Sequence, residues 1–246
     1  MRKIEVCVDS LSSAINAEEC GVDRLEVSSC LELGGVTPSF GLVKEITKTI
    51  QAPVMVLIRP RSGNFTYSKK EQSVMLESMR SFTSLNIEGF VIGALDKNGD
   101  IDLPFITRVV ELFGNASLTF HRAFDFVNDP FSALECLKKL NIKRILTSGQ
   151  SDDIIKGKEL IKKLEIKADN KIIIMPGGGI TPKNVYELVD YTKVKEIHTS
   201  ASSIINTNIE YANKNLDMGN MKNLKIFDQK KFYLIKNQLR RVKNSE

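Results

Sequence analysis

Short runs of apolar residues with the length of β-strands recur along the chain about every 20 to 35 residues. Eight of them can be recognised, and they lie near Ile4, Arg24, Pro53, Gly89, Ser117, Arg144, Lys171 and Glu196. Segments with the length and pattern of helices separate them, for example residues 39–50, 69–85, 130–140 and 182–191. This alternation is typical of parallel βα units, and eight units predict an α/β fold that closes into a single (β/α)8 TIM-like barrel.

The length of the chain predicts one domain. A chain of 246 residues matches a single barrel of this type, so we expect residues 1–246 to form one unit. Residues 204–223 are rich in Asn, and we expect an irregular segment there. A last helix is predicted over residues 228–242, with Asp228 as its N-cap.

Alternate positions of the predicted strands differ in polarity, and this difference indicates which side chains point into the barrel. In the first strand one face holds Ile4, Val6 and Val8, and the other holds Glu5, Cys7 and Asp9. Charged residues at strand starts are expected to pair near the bottom of the barrel, namely Glu5, Arg24 and Glu196. Polar residues at strand ends are expected at the catalytic face of the barrel, and they are Cys30, Arg59, Arg61, His121, Asp125, His198 and Ser200.

The net charge of +5 does not indicate a nucleic-acid partner. Residues 221–246 carry eight Lys or Arg against two acidic residues, so the remaining chain is near neutral and the barrel is not basic. No apolar run reaches the roughly 18 residues of a membrane span, and the run Ile4 to Val8 is too short for a signal peptide. We therefore expect a cytoplasmic protein that neither enters a membrane nor binds nucleic acid.

Two charged motifs at strand ends suit the binding of an anion. Arg59 and Arg61 flank a rigid proline, and a guanidinium can bind a carboxylate or phosphate through two hydrogen bonds. Alternatively, one of them neutralises Glu26 on the adjacent strand. His121 ends the fifth strand and can act as an acid, a base or a ligand, with Arg122 or Asp125 beside it, or it can be an interior hydrogen-bonding residue.

Glycines and small hydroxyl residues end the last strands. Gly177, Gly178 and Gly179 follow strand seven, and Ser200 follows strand eight. In many barrels these two loops bind phosphate through backbone N–H groups, although tight turns also need glycine. Ser148, after strand six, suits an orienting role for a bound ligand.

A metal site would have to be assembled from different strands, because the sequence has no HxH or HxxxH pair. Cys7 and Cys30 on neighbouring strands, with His121 or His198 across the mouth, offer donors that suit Cu(I). Alternatively, Cys7 is a small buried apolar residue. The four cysteines contain no CxxC pair, so reduced thiols are expected.

Several strings together resemble the CutC family, known as copper homeostasis proteins. They are EVCVD at 5–9, DRLE at 23–26, GGVTPS at 34–39, IRPR at 58–61, TFHRAFD at 119–125, LTSG at 146–149, PGGG at 176–179 and EIH at 196–198. The resemblance covers about residues 4–203 and implies a cytosolic TIM-like barrel, a homodimer, and copper as the ligand. One departure is Asn64, where the family usually has an acidic residue.

Three functions remain open at this point. The first is a copper-homeostasis protein that binds Cu(I) through Cys7, Cys30 and the mouth histidines. The second is an enzyme acting on a small phosphorylated or carboxylated metabolite, with Glu26 or His121 as the general base and the arginines and glycines holding the anion. The third is a dimeric, non-catalytic scaffold or sensor whose basic C-terminal helix binds a partner.

Overall fold

A computed structural model describes residues 2–207 and 223–243 of the chain. Eight parallel strands form one sheet, and they are β1 Lys3–Val8, β2 Arg24–Val27, β3 Val54–Ile58, β4 Gly89–Ile92, β5 Ser117–Phe120, β6 Arg144–Thr147, β7 Ile173–Pro176 and β8 Glu196–Thr199. Their order is β7-β6-β5-β4-β3-β2-β1-β8, so each strand lies beside its sequence neighbour and β8 returns to β1. The predicted (β/α)8 barrel is therefore confirmed, with the sheet nearly closed on itself.

Helices connect the strands on the outside of the barrel. They are α1 Leu11–Glu19, α2 Phe40–Thr49, α3 Lys69–Phe82, α4 Leu103–Phe113, α5 Pro130–Lys139, α6 Lys158–Ala168, α7 Val185–Thr192 and α8 Gln229–Lys243. Two 3-10 turns follow β2 and β5, at Leu31–Leu33 and Arg122–Phe126. Local sequence sets several helix starts, since Ser10, Ser39 and Asp102 each accept a hydrogen bond from the first turn. The start of α3 is a capping box between Ser68 and Glu71.

The apolar face of each strand packs against these helices and forms the main core. Val6, Leu25, Val56, Phe90 and Ile145 are all fully buried there. Burial of this apolar surface is the main stabilising contribution to the fold. The opposite face of the strands points into the barrel, and its polar side chains build the site described below.

The C-terminal segment differs in part from its prediction. Residues expected to be irregular instead contribute β9 Ser202–Asn206, which pairs in an antiparallel manner with β10 Asn223–Phe227. Residues 208–222, which make up the rest of the Asn-rich stretch, lie outside the described residues. The last helix starts where it is expected, and an Asp228 carboxylate oxygen caps it by accepting a hydrogen bond from the Lys231 amide. Phe232 and Ile235 of this helix are buried against the barrel.

None of the helices among residues 2–207 and 223–243 combines the length and the apolar composition needed to cross a membrane.

Candidate functional site

A buried layer of charges closes the lower part of the barrel interior. Arg24 on β2 donates from Nε to a Glu5 oxygen and from Nη2 to Glu196 Oε2, the latter at 2.7 Å. Arg144 Nε donates to the same Glu196 oxygen at 2.9 Å. The expected pairing of Glu5, Arg24 and Glu196 is confirmed. Sequence reasoning missed Arg144, although it starts β6 in the same way that Arg24 starts β2.

Glu5 connects this layer to the functional end of the barrel. Its Oε1 lies 2.7 Å from Nδ1 of His198 on the adjacent strand β8. Burial would raise the pKa of Glu5, but the hydrogen bond with His198 and the charge of Arg24 lower it to about 2. Burial would also lower the pKa of His198, but the adjacent Cys7 and Glu26 outweigh it and hold the pKa well above its usual value.

Above this layer, a cavity of about 390 Å³ opens at the carboxyl ends of the strands. Its lining brings together nine of the residues predicted from the sequence. They are Cys7, Glu26, Arg59, His121, Arg122, Gly178, Gly179, His198 and Ser200. Its size lies within the range of small-molecule sites. Most of the predicted strand-end residues therefore do share one cavity.

Glu26 on β2 lies in this cavity beside Cys7 of β1. It is 5% exposed, and its Oε2 has no hydrogen-bond partner among the described residues. Burial raises its pKa to about 7, against the opposing charge of His198. Neither Arg59 nor Arg61 neutralises it, so that alternative is wrong; both guanidinium groups are held elsewhere.

Arg59 has two of its three guanidinium nitrogens committed to the loops after β2 and β3. Nη1 donates to the Leu33 and Gly35 carbonyls at 2.9 and 2.7 Å, and Nη2 donates to the Gly63 carbonyl at 2.9 Å. Its Nε is buried and has no acceptor among the described residues. Arg59 therefore shapes the mouth; its guanidinium also lies near the buried Tyr67 hydroxyl, and its Nε has no acceptor in hydrogen-bond geometry among the described residues.

Arg61 does not belong to the cavity lining, in contrast to the prediction that it grips the ligand with Arg59. Its Nε donates to Glu71, the N3 residue of α3, and its Nη1 and Nη2 donate to loop carbonyls including that of Thr66. The strand ends at Ile58, so the alternation that predicted an inward Arg61 no longer holds there.

His121, directly after β5, is 4% exposed and lines the cavity. Its Nδ1 accepts a hydrogen bond from the Ala123 amide at 3.1 Å, and its Nε2 has no partner among the described residues. Burial and the charge of Arg59 lower its pKa to about 3. The imidazole is therefore neutral at physiological pH.

Asp125 is not part of the cavity lining, in contrast to the position expected for a catalytic residue. Its carboxylate accepts from the Arg122 Nε, the Thr147 hydroxyl, the Ser148 amide and hydroxyl, and the Gln150 amide. These bonds tie β5 to β6 and orient Arg122. Ser148 is also outside the lining; its Oγ accepts from Arg122 Nη2 at 2.8 Å, so it helps to position the guanidinium.

The loops after β7 and β8 line the cavity, and three of their backbone N–H groups are unpaired within the described part of the chain. The amides of Gly178, Gly179 and Ser200 have no acceptor among the described residues, whereas the Gly177 amide donates to the Thr147 carbonyl. Gly178 has a φ of +93° and lies against the Arg122 guanidinium, which a Cβ there would meet at 3.0 Å. Gly177 is instead packed on Leu146 and His198, so it serves the turn.

The two cysteines proposed as metal ligands are not brought together in the cavity. Cys7 is buried and lines it. Cys30 is exposed, has a left-handed backbone (φ 53°) and is absent from the lining. Among the described residues, the group of at least three side chains close enough to share a metal ion is Glu5, Glu26 and His198.

The C-terminal segment supplies cavity residues that sequence reasoning missed. Lys225 of β10 and Lys231 and Ile235 of α8 complete one wall. The Lys231 ammonium donates to the Ser202 carbonyl at 2.6 Å. The two lysines are evident as basic residues in the sequence. The sequence did not predict the strand pairing that brings them to the mouth of the barrel.

Comparison with known proteins agrees with this architecture. The model of the CutC family matches residues 2–203. A CutC family protein of Parabacteroides distasonis is 44% identical over 89% of this chain and 90% of that protein, and a human copper homeostasis protein cutC homolog is 42% identical over 88% and 79%. The solved CutC structure from Streptococcus agalactiae has a TM-score of 0.78 and 33% identity, and covers 81% of this chain and 99% of that chain.

Proposed function

Because the chain belongs to the CutC family, we propose that it is a cytoplasmic copper-homeostasis protein that binds Cu(I) at the floor of the barrel cavity. The support for this function is the family relationship, since relatives of similar length carry the name copper homeostasis protein. The donor atoms present in the cavity support the choice of Cu(I).

The observation that carries the proposal is the contact between a buried thiol and an oriented imidazole. Cys7 adjoins His198, because it is one of the groups that raise the pKa of this histidine. Glu5 holds Nδ1 of His198, so Nε2 is the ring nitrogen that would bind a metal, and the metal would have to displace the proton that the raised pKa of His198 keeps on the ring. Such a carboxylate–histidine pair commonly orients a metal-binding imidazole. Thiolate and imidazole are donors that suit Cu(I).

Glu26 adds a carboxylate to the same place, and oxygen donors favour harder ions than Cu(I). We therefore assign the Cu(I) contacts to Cys7 and His198. Cys30 remains a predicted second thiolate; it would have to reach the cavity from the exposed turn after β2.

Titration of the reduced protein against a Cu(I)-binding chromophore such as bicinchoninate tests this proposal. We expect one Cu(I) per chain, and loss of that Cu(I) in Cys7→Ser. Cys136→Ser is the matched control, because this cysteine lies on α5 away from the cavity. Cys30→Ser measures the second predicted ligand separately. Unchanged affinity and stoichiometry in Cys7→Ser would rule out the site.

The second candidate is an enzyme acting on a small phosphorylated or carboxylated metabolite, and the charge of the cavity favours it. Four fixed cations line it, Arg59, Arg122, Lys225 and Lys231, whereas Glu26 is the carboxylate in the same lining among the described residues. An excess of positive charge attracts small anions. A thermal-shift series of phosphate against chloride at equal ionic strength should show stabilisation by phosphate, and Arg122→Gln should reduce it.

We also propose a homodimer, as the family resemblance implies, and sedimentation velocity measures it directly. The scaffold or sensor function stays a prediction. Its test is partner binding after replacement of exposed basic residues of α8, such as Lys230 and Arg240.

A further inference from the structure

Two buried N–H donors in the cavity have no acceptor among the described residues. They are Nε of Arg59 and Nε2 of His121, and their side chains are 6% and 4% exposed. A buried donor without an acceptor costs free energy comparable to a lost hydrogen bond. Both residues line the same cavity, so a ligand entering it can satisfy both donors.

The protonation of His121 is fixed by its surroundings. Nδ1 accepts from the Ala123 amide and therefore carries no proton, so the proton of the neutral ring is on Nε2. Burial and the nearby Arg59 keep the ring neutral. His121 is consequently a neutral hydrogen-bond donor. It can donate its Nε2 proton to an oxygen atom of a ligand without placing a positive charge beside that atom.

One aromatic ring holds both donors in place. Phe65 lies 5.1 Å from the His121 ring and 5.0 Å from the Arg59 guanidinium carbon, measured from its centroid. On another side the His121 ring packs on the backbone of Gly93, where a Cβ would lie 2.6 Å from Cε1 and Nδ1. These two contacts hold the His121 ring at the wall of the cavity.

A second group of donors lies on the other wall. The amides of Gly178, Gly179 and Ser200 have no acceptor in the described part of the chain, and Arg122 lies against Gly178. Unpaired backbone amides beside a guanidinium are groups that can bind a phosphate. The cavity therefore has a charged end for an anion and a second end, formed by His121 and Arg59, for a single oxygen atom.

We propose that the cavity binds a small phosphorylated metabolite that also carries a C=O oxygen, with its phosphate on the β7 and β8 loops and its C=O oxygen between His121 Nε2 and Arg59 Nε. The inference rests on the second candidate function in requiring that a phosphorylated metabolite enters the cavity. It requires no copper. A C=O oxygen has two lone pairs and accepts both donors at once.

Matched probes separate the two ends of the ligand. Isothermal titration calorimetry would compare dihydroxyacetone phosphate, which has a ketone, 3-phosphoglycerate, which has a carboxylate, and glycerol 3-phosphate, which has neither. Ribulose 5-phosphate and ribitol 5-phosphate repeat the comparison with a longer chain. We expect at least one C=O probe to bind about tenfold more tightly than its matched alcohol. Whether the ketone or the carboxylate binds better identifies the oxygen that is recognised.

Variants of His121 assign this preference to its donor. His121→Leu should remove the tenfold preference by weakening the C=O probes more than their matched alcohols, whereas His121→Gln, which keeps an N–H donor, should retain part of it. Gly93→Ala should weaken the preference with the histidine still present. Far-ultraviolet circular dichroism and the melting temperature confirm that each variant is folded.

Each outcome has one meaning. Equal binding of C=O and alcohol probes in both series overturns the inference and leaves an anion site in place. A preference that survives in His121→Leu also overturns it. No binding of any probe overturns the inference and the second candidate function together. Copper binding is measured on Cys7→Ser, so its failure is recognised separately.

Discussion

Replacement of Glu5 by Gln tests whether the buried carboxylate stabilises the barrel through its charge. The side chain is 1% exposed and accepts from Arg24 while pairing with His198. Its pKa falls from 4.5 to about 2 on folding. This lowering of the pKa corresponds to a stabilisation of roughly 3 kcal/mol at neutral pH. The isosteric amide keeps the shape but loses this contribution.

The dependence on pH gives this prediction its direction. A carboxylate whose pKa is depressed in the folded state stabilises the protein above its unfolded pKa, and the stabilisation is lost as the pH falls from 4.5 towards 2. From this lowered pKa we expect Glu5 to contribute roughly 3 kcal/mol at pH 7 and roughly 1 kcal/mol at pH 3. The free energy of unfolding of Glu5→Gln relative to wild type should therefore recover by about 2 kcal/mol between these values.

Urea denaturation at pH 7 and pH 3 measures this difference. Glu45→Gln is the matched control, because Glu45 forms an exposed ion pair with Lys48 on α2 and should change stability by less than about 1 kcal/mol at either pH. An equal deficit of Glu5→Gln at both pH values would refute the reasoning, since it would assign the effect to packing and not to charge.

Three further predictions concern the cavity and the last helix. The free energy of unfolding of His121→Gln should rise by about 2 kcal/mol relative to wild type between pH 7 and pH 5. The reason is that the folded imidazole, with a pKa of about 3, stays neutral at pH 5, whereas the unfolded one protonates and stabilises the unfolded wild type. Urea denaturation at both pH values measures this difference. Gly93→Ala should cost about 1 to 3 kcal/mol, since its Cβ overlaps the His121 ring, and an unchanged melting temperature would contradict this packing. Phe232→Ala should cost about 3 to 5 kcal/mol and expose α8 to proteolysis if this helix is docked as described; equal protection of the variant and wild type would argue against that docking.

Much of the fold could be predicted from the sequence because the two faces of each strand have different polarity. The alternation around Glu5 and Arg24 identified the inward face, and that face forms the buried ion pairs. Prediction failed for residues that lie several positions beyond the end of a strand. Arg61 and Asp125 lie beyond strand ends, and their directions are set by Glu71 and by the Arg122–Ser148 contacts, which no periodic pattern encodes.

The candidate site could be predicted in composition more than in detail. The residues at strand ends indicated a shared cavity, and Glu26 and His121 do lie in it. Their pKa directions depend on burial and on the absence of a neutralising partner among the described residues, and both require coordinates. The wall containing Lys225 depends on the pairing of β9 with β10. The intervening residues gave no strand pattern from which to expect that pairing.

The order of the strands has a mechanical consequence. Within the described residues β7 and β8 end the sheet on either side and share no ladder of backbone bonds, and the Thr199 hydroxyl spans this seam by donating to the Ile180 carbonyl at 3.3 Å. Local opening is easiest where few backbone bonds have to break. The loop with Gly178 follows β7 and the loop with Ser200 follows β8. An anion bound by both loops would therefore connect these two strands and oppose their separation. Slower amide hydrogen exchange along these two strands would then report occupancy of the mouth.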